Sequence, residues 1–381
     1  MVLGERAWLE LNLNHLKHNF KVLQKASGNQ TKVMAVVKAN GYGHGMIEIA
    51  EHLSKAGAEA FAVATIDEAI SLRQHNVTGE ILILGYTSPA RRETIRMYDL
   101  TQTIVDHDHA KRLAQGNQPI KVHLKIDTGM HRLGERYDHI SEITTIFSYH
   151  NLAVTGIYTH LSVSDSLEYR HVDFSNQQIK RFYTIINKLE QTGLSCPPTH
   201  IQSSYGLLNY PELSCDIVRI GIALYGVLST ALEPTRSSLA LKPVLALKAK
   251  VIAVRSVYPG EEVGYGRSYL VKQKMKIATI SIGYADGFPR ALSNQAAYVL
   301  IRGKRVPVIG RVCMDQLTVD VSTLANLQPD EVVTLIGSDG HEVVRAEEVA
   351  DLAGTITNEL LSRLGERLER IYVTEKRVVV V

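Results

Sequence analysis

Cysteine is scarce in this chain: Cys196, Cys215 and Cys313 are the only three in 381 residues. An odd number with no C-x-x-C pair excludes a disulfide framework and fits a reducing compartment. Charge of one sign is lacking too. Lys and Arg number 42 against 39 Asp and Glu, a formal net charge of +3. No basic run is dense enough to form a patch, which excludes nucleic acid or a membrane surface as the expected partner. No uninterrupted apolar span approaches membrane length, and the N-terminus has no signal-peptide pattern. Solenoid-length repeats and low-complexity segments are absent as well. What remains reads as a globular, cytoplasmic protein with room for two domains.

What is present is alternation. Apolar positions at helical spacing (Leu13, Leu16, Phe20, Leu23) predict a first helix over Glu10–Gln24. Short apolar runs then predict strands at Val33–Lys38, Ala60–Ala64, Ile81–Leu84, Gln102–Val105 and Lys121–Ile126. Three more fall at Ala153–Tyr158, Thr199–Gln202 and Ile217–Ile220, with helical patterns in the gaps. Roughly eight strand–helix units in about 220 residues predict a (β/α)8 barrel of the TIM type. After Leu232 the pattern changes to short Val/Ile/Ala runs broken by Pro-Gly, Gly-Tyr-Gly and Arg-Gly-Lys, which predicts mainly antiparallel β structure. Helices near Ala346–Ala353 and Glu359–Leu368 and a closing strand Arg377–Val381 complete it. The fold class is therefore α/β, a barrel domain over 1–235 followed by a β domain over 236–381, with the first few residues free to pair with the second domain.

Polar residues collect where the predicted barrel strands end, the face that carries chemistry in such barrels. Lys38 and Tyr42 follow the first strand, within Val37-Lys38-Ala39-Asn40-Gly41-Tyr42-Gly43-His44-Gly45. Lys125, Asp127 and Arg132 follow the fifth, His160 the sixth, Ser203 and Ser204 the seventh, and Arg219 precedes Ile220-Gly221-Ile222 at the eighth. Each alone also fits a plain structural role: a surface lysine, a core histidine, a turn serine. Together on one rim they suggest chemistry. A lysine among apolar neighbours can lose its proton and act as a nucleophilic amine. Small residues after strands seven and eight suit a phosphate. Both features imply a phosphorylated carbonyl cofactor, most simply pyridoxal 5'-phosphate.

With these motifs, and with Lys125-Ile126-Asp127-Thr128-Gly129-Met130, Gly264-Tyr265-Gly266, Ile282-Gly283-Tyr284-Ala285-Asp286-Gly287 and Gly310-Arg311-Val312-Cys313-Met314-Asp315, the chain resembles the alanine racemase family over nearly its whole length. The resemblance implies a pyridoxal-phosphate racemase acting as a head-to-tail homodimer with shared active sites. Lys38 would hold the cofactor and serve one face of the substrate Cα. Tyr265 of the partner subunit would serve the other. Arg219 would face the pyridine nitrogen and keep it unprotonated, because arginine stays charged. Arg132 would bind the substrate carboxylate, with Lys125, carbamylated in many relatives, holding Arg132 in place. His160 would bond to Tyr265. Tyr42, Ser204, Gly221 and Ile222 would bind the phosphate, and Met314 and Asp315 would reach the substrate from the partner chain. No metal is implied.

Two positions depart from the family pattern. Ser203 stands where asparagine is common, and Asn358 stands where alanine racemases usually carry tyrosine. An amide there removes bulk and can hydrogen-bond a substrate β-hydroxyl. That change, with His131 beside Arg132, resembles the serine racemases of vancomycin-resistance systems, whose catalytic domain lies on the cytoplasmic side of a membrane-anchored protein. The expected activity is interconversion of L- and D-serine, with alanine also accepted, supplying D-amino acid for peptidoglycan precursors. The alternatives are an ordinary alanine racemase in which Asn358 is incidental, and a cofactor carrier without turnover.

Overall fold

Residues Ala7–Asn12 form strand β1, not the start of a helix. The first helix runs Leu13–Ser27, and the Asn12 side chain caps it by accepting from the backbone N–H of Asn14 and His15 at 3.0 and 3.1 Å. The apolar spacing of Leu13, Leu16, Phe20 and Leu23 marks the buried face, but the cap marks the boundary. The computed structural model describes residues 4–374 and 378–380.

Eight parallel strands follow: β2 (Lys32–Val36), β3 (Ala60–Val63), β4 (Glu80–Ile83), β5 (Thr101–Ile104), β6 (Ile120–Asp127), β7 (Leu152–Tyr158), β8 (Thr199–His200) and β9 (Ile217–Ile220). They pair in the order β9-β2-β3-β4-β5-β6-β7-β8. Backbone bonds from Asp216 to Thr199 and from Arg219 to Gln202, both 3.0 Å, tie the last strand to the loop and strand before it and close the barrel. Most strand residues are buried; β3 and β4 read as apolar runs, whereas β5 and β6 carry polar side chains such as Gln102 and His123 inside the barrel. Between them lie helices such as Met46–Lys55, Ile66–Gln74 and Tyr169–Gln191.

The second sheet is mainly antiparallel. β1 joins it, running antiparallel to Leu245–Val257 with Ala7 opposite Ala249, and parallel to Glu369–Val373 with Trp8 opposite Glu369. Short helices Ala346–Leu352 and Thr357–Ser362 sit between its later strands. The second helix is shorter than the expected Glu359–Leu368, and its chain turns after Ser362. Val378–Val380 form a strand against Glu369–Val373; Arg377 and Val381 of the expected closing strand lie outside the described residues. Among the described residues, no helix is long and apolar enough to cross a membrane.

Lys38 is followed by an unusual backbone. Ala39, Asn40, Gly41 and Tyr42 all have φ between 52° and 62°, a left-handed turn in which three residues carry side chains. Each such residue costs about 1–2 kcal/mol, so the turn must be held from outside. On the barrel side, Ala39 N–H donates to Glu68 Oε1 and Met46 N–H to Asn40 Oδ1, both at 2.8 Å. From the second domain, Arg370 Nε donates to Gly43 O at 3.1 Å and the Tyr372 hydroxyl to His44 O at 2.9 Å. Packing is close enough that a Cβ on Gly43 would lie 2.1 Å from Leu361 O.

Gly43→Ala is therefore expected to destabilise the protein by on the order of 2–4 kcal/mol. Gly57 has φ of +103° but open space around it, so Gly57→Ala should cost only about 1 kcal/mol. Thermal or urea unfolding of the two variants checks this. Equal losses would remove docking of the second domain from the account.

Candidate active site

A cavity of about 410 Å³ opens at the carboxyl ends of the barrel strands. Its wall contains Lys38, Tyr42, Lys125, Arg132, His160, Ser204, Arg219, Gly221, Ile222 and Asn358. Tyr265, Met314 and Asp315 are not part of that wall. Their side chains lie in the second domain, with Tyr265 and Met314 72% and 53% exposed. Tyr265 sits between two glycines of positive φ, Gly264 at +80° and Gly266 at +71°.

Four cations, Lys38, Lys125, Arg132 and Arg219, face this space against one carboxylate, Asp165. Burial lowers the Lys38 amine below its ordinary value, and Arg132 adds to the effect. Burial together with Arg132 and Arg219 brings Lys125 down to about 8. Such a cavity attracts an anion. Arg132 rides on a loop shaped by Asp127, which accepts from the backbone of Gly129 and His131 and from the His131 ring, each at 3.0 Å. Those bonds outweigh burial and hold the Asp127 carboxyl below the usual range.

Arg219 organises the centre. It is buried, and its Nη1 donates to His200 Nδ1 and His200 O at 3.0 and 2.9 Å. Nη2 donates to Thr159 O at 2.8 Å and to His160 Nδ1 at 3.3 Å. Arginine has five N–H groups and accepts nothing. Four are committed here, and Nε–H remains for an acceptor outside the protein. Since both histidines accept at Nδ1, each neutral ring carries its proton on Nε2. Burial and the adjacent Arg219 charge push both rings well below their ordinary value, so they stay neutral.

Opposite, the Ser204 hydroxyl accepts from Gly221 and Ala223 N–H at 3.1 and 3.3 Å and ties the ends of β8 and β9 together. A Cβ on Gly221 would lie 2.5 Å from the Tyr42 hydroxyl, so only glycine leaves room there. Burial pushes that phenol up to about 12, which keeps it a neutral donor. A hydroxyl and backbone cradle, an amine at the first barrel strand and a free arginine N–H suit a group carrying a phosphate, a carbonyl and a basic ring nitrogen.

Asn358 reaches the same wall from the helix Thr357–Ser362. Ser229 Oγ donates to Asn358 Oδ1 at 2.7 Å, and Thr357 N–H donates to Ser229 O at 2.8 Å. Tyr158, His200 and Ser229 were missed by sequence reasoning. Tyr158 lies beneath Arg219, 4.9 Å from ring to guanidinium, and stacks on His200 at 4.5 Å. Tyr158 and His200 are the last residues of β7 and β8, the strand ends that face the cavity.

Fold and cavity together define an enzyme that holds a phosphorylated cofactor at the mouth of a barrel. The chain belongs to the alanine racemase family: the family's N-terminal domain matches residues 11–229 and its C-terminal domain residues 244–372. Members of this family use pyridoxal 5'-phosphate. An amino-acid racemase of Enterococcus faecalis is 46% identical over 367 residues, 96% of this chain and 52% of the relative. A serine/alanine racemase of Enterococcus gallinarum is 43% identical over 364 residues, 96% of this chain and 51% of the relative. The chain thus spans about half the length of these curated relatives. Among solved structures, alanine racemase from Clostridium difficile 630 superposes with a TM-score of 0.90 at 31% identity, covering 100% of this chain and 99% of that one.

The unfolded Lys125 amine keeps the ordinary value of 10.5, while the folded one is about 8. Between those values the unfolded chain binds more protons, so stability rises with pH there; below about 8 the full penalty applies. Lys125→Met is expected to stabilise the protein at pH 7 in carbonate-free buffer by on the order of 1–3 kcal/mol. The gain should shrink towards zero as pH approaches 10.5. A gain that stays level in a pH series of thermal melts would contradict it.

Proposed function

We propose that this chain is a serine/alanine racemase, interconverting L- and D-serine and also accepting alanine, and that it works as a head-to-tail homodimer. The observation that carries the serine reading is Asn358 in the cavity wall with its oxygen held by Ser229. That bond leaves the amide NH2 as a donor, and a substrate β-hydroxyl can accept from it. One neutral hydrogen bond adds roughly 0.5–1.5 kcal/mol, about three- to twelvefold in preference, so alanine remains a substrate. The E. gallinarum relative, named for both amino acids, supports the reading.

Racemisation takes a proton from one face of Cα and returns one to the other, so two groups must face each other. Lys38 is one, its amine favoured neutral by burial. Tyr265 stands exposed between two glycines of positive φ in the second domain, free to meet a second copy of the chain. The partner subunit's Tyr265 is proposed as that second base, with the partner's Met314 and the partner's Asp315 beside the substrate. His160 Nε2–H, its tautomer set by Arg219, then donates to the hydroxyl oxygen of the partner's Tyr265 and orients it. Arg132 holds the substrate carboxylate. Lys38, Tyr42, Ser204, Gly221 and Ile222 would hold the cofactor, with Arg219 Nε–H available as a donor to its ring nitrogen. The cofactor supplies an electron sink for the pair left on Cα.

Lys125, about a tenth neutral at pH 7 for a value of about 8, can add carbon dioxide at its free amine and release a proton. The resulting carbamate would sit against Arg132 and orient it. The domain division near 235 is proposed on the same footing, supported by family matches ending at 229 and resuming at 244. Supply of D-serine to cell-wall precursors is the corresponding proposed role.

Two experiments test this reading. The ratio of kcat/KM for L-serine and L-alanine is to be measured on the natural chain and on Asn358→Tyr. Loss of serine turnover with alanine retained is the expected result. An alanine preference of a hundredfold or more, unchanged by the substitution, would make this an ordinary alanine racemase, and no turnover at all would make it a carrier. Separately, Lys38→Ala and Tyr265→Phe subunits, each inactive alone, should regain about a quarter of full activity when mixed and reassembled, because half the dimers hold one intact site of two. No recovery would place both groups in one subunit.

A further inference from the structure

The hydrogen-bond chain that begins at Arg219 does not stop at His200. His200 Nε2 lies 3.0 Å from His123 Nδ1, both buried inside the barrel. His123 Nε2 in turn lies 2.9 Å from Glu80 Oε1, an oblique contact with the only carboxylate that meets it among the described residues. Glu80 is the first residue of β4, so it stands at the amino ends of the strands, away from the cavity. Its side chain is 22% exposed, and its other oxygen is 3.9 Å from Lys32 Nζ.

Chemistry fixes every proton along this line. Arg219 only donates, so His200 Nδ1 accepts and the His200 proton sits on Nε2. That proton points at His123 Nδ1, which must therefore accept. The His123 proton is then on Nε2, facing the carboxylate. The result is an unbranched, one-directional series: Arg219 to His200 to His123 to Glu80. Neither ring can change tautomer alone, because a reversed His123 would set two N–H groups against each other. A reversed His200 would aim an N–H at the guanidinium.

We propose that Glu80 is a positioning residue for Arg219, acting through His123 and His200 across the depth of the barrel. This rests on the reading that Arg219 Nε–H meets the cofactor ring. A terminal carboxylate anchors the series and fixes the direction in which the guanidinium presents its one uncommitted N–H. Without it, the His123 N–H loses the carboxylate that stands 2.9 Å away, the reversed tautomers gain population, and Arg219 loses a fixed acceptor on Nη1. The bottom of the barrel, otherwise a region of structural packing, thereby sets the electrostatics of the site at the top.

The first measurement is nitrogen NMR on protein labelled with 15N-histidine, with His123 and His200 assigned by substitution. Both rings of the natural chain are expected neutral with the proton on Nε2 near pH 7. Any other pair of tautomers overturns the proposal without reference to activity. Glu80→Ala should then show mixed tautomers at both rings, a shifted absorption maximum in the cofactor-loaded protein, and kcat lowered about three- to tenfold with KM little changed. Glu80→Gln, which keeps an oxygen acceptor, should restore the Nε2 tautomers. Lys32→Met, which removes the neighbouring ion pair alone, should leave all readouts as in the natural chain. Unchanged tautomers and absorption in Glu80→Ala would overturn the positioning role. If the natural chain turned over no amino acid, the proposed function would fall, while the NMR comparison would still decide the series.

Discussion

A buried guanidinium that cannot accept a hydrogen bond and does not lose its charge constrains everything around it. Arg219 turns His200 and His160 into acceptors at Nδ1 and so assigns their protons. It lies over Tyr158, and its charge adds to burial in lowering Lys125 and in keeping both imidazoles neutral. A lysine at this place would offer three rotatable donors on a flexible stem, without the fixed fork that serves four acceptors at once. Burying such a cation costs several kcal/mol, and the carbonyls of Thr159 and His200 offset part of it. The remaining N–H and the surplus of positive charge leave the cavity suited to an anionic ligand with a basic nitrogen.

That cavity is shared between domains in two different senses. Asn358 comes from the second domain of the same chain and is fixed by Ser229 at the edge of the barrel. Tyr265 comes from the second domain too, but faces outward. On the proposed reading, one chain would supply the wall beside the substrate side chain and a second chain the opposing base. Specificity and turnover would then be separable, since they would depend on different contacts of the same domain.

The barrel was legible because strands such as β3 and β4 are buried and read as apolar runs, set at regular intervals between helical patterns. The helix starts were less so: Leu13, Leu16 and Phe20 gave the face of the first helix, but only the capping role of Asn12 separates it from β1. The Ala7–Asn12 segment is short and joins strands more than two hundred residues away in sequence, a pairing that local periodicity does not encode. In the site, Lys38, Arg132 and Arg219 stood out because charged residues at strand ends are conspicuous. His123, His200 and Tyr158 did not, because a polar residue inside a barrel strand gains its meaning only from neighbours on other strands. Glu80 was the least visible, an ordinary acidic residue before an apolar run.

The left-handed turn after Lys38 has a consequence for the order of synthesis. The turn is translated well before Leu361, Arg370 and Tyr372, which pack against and bond to it; the two bonds span 327 and 328 residues. A barrel still attached to the ribosome holds its lysine in a turn that lacks half its supports. The nascent chain can build the barrel first, but the turn that carries Lys38 is fully supported only when Arg370 and Tyr372 arrive.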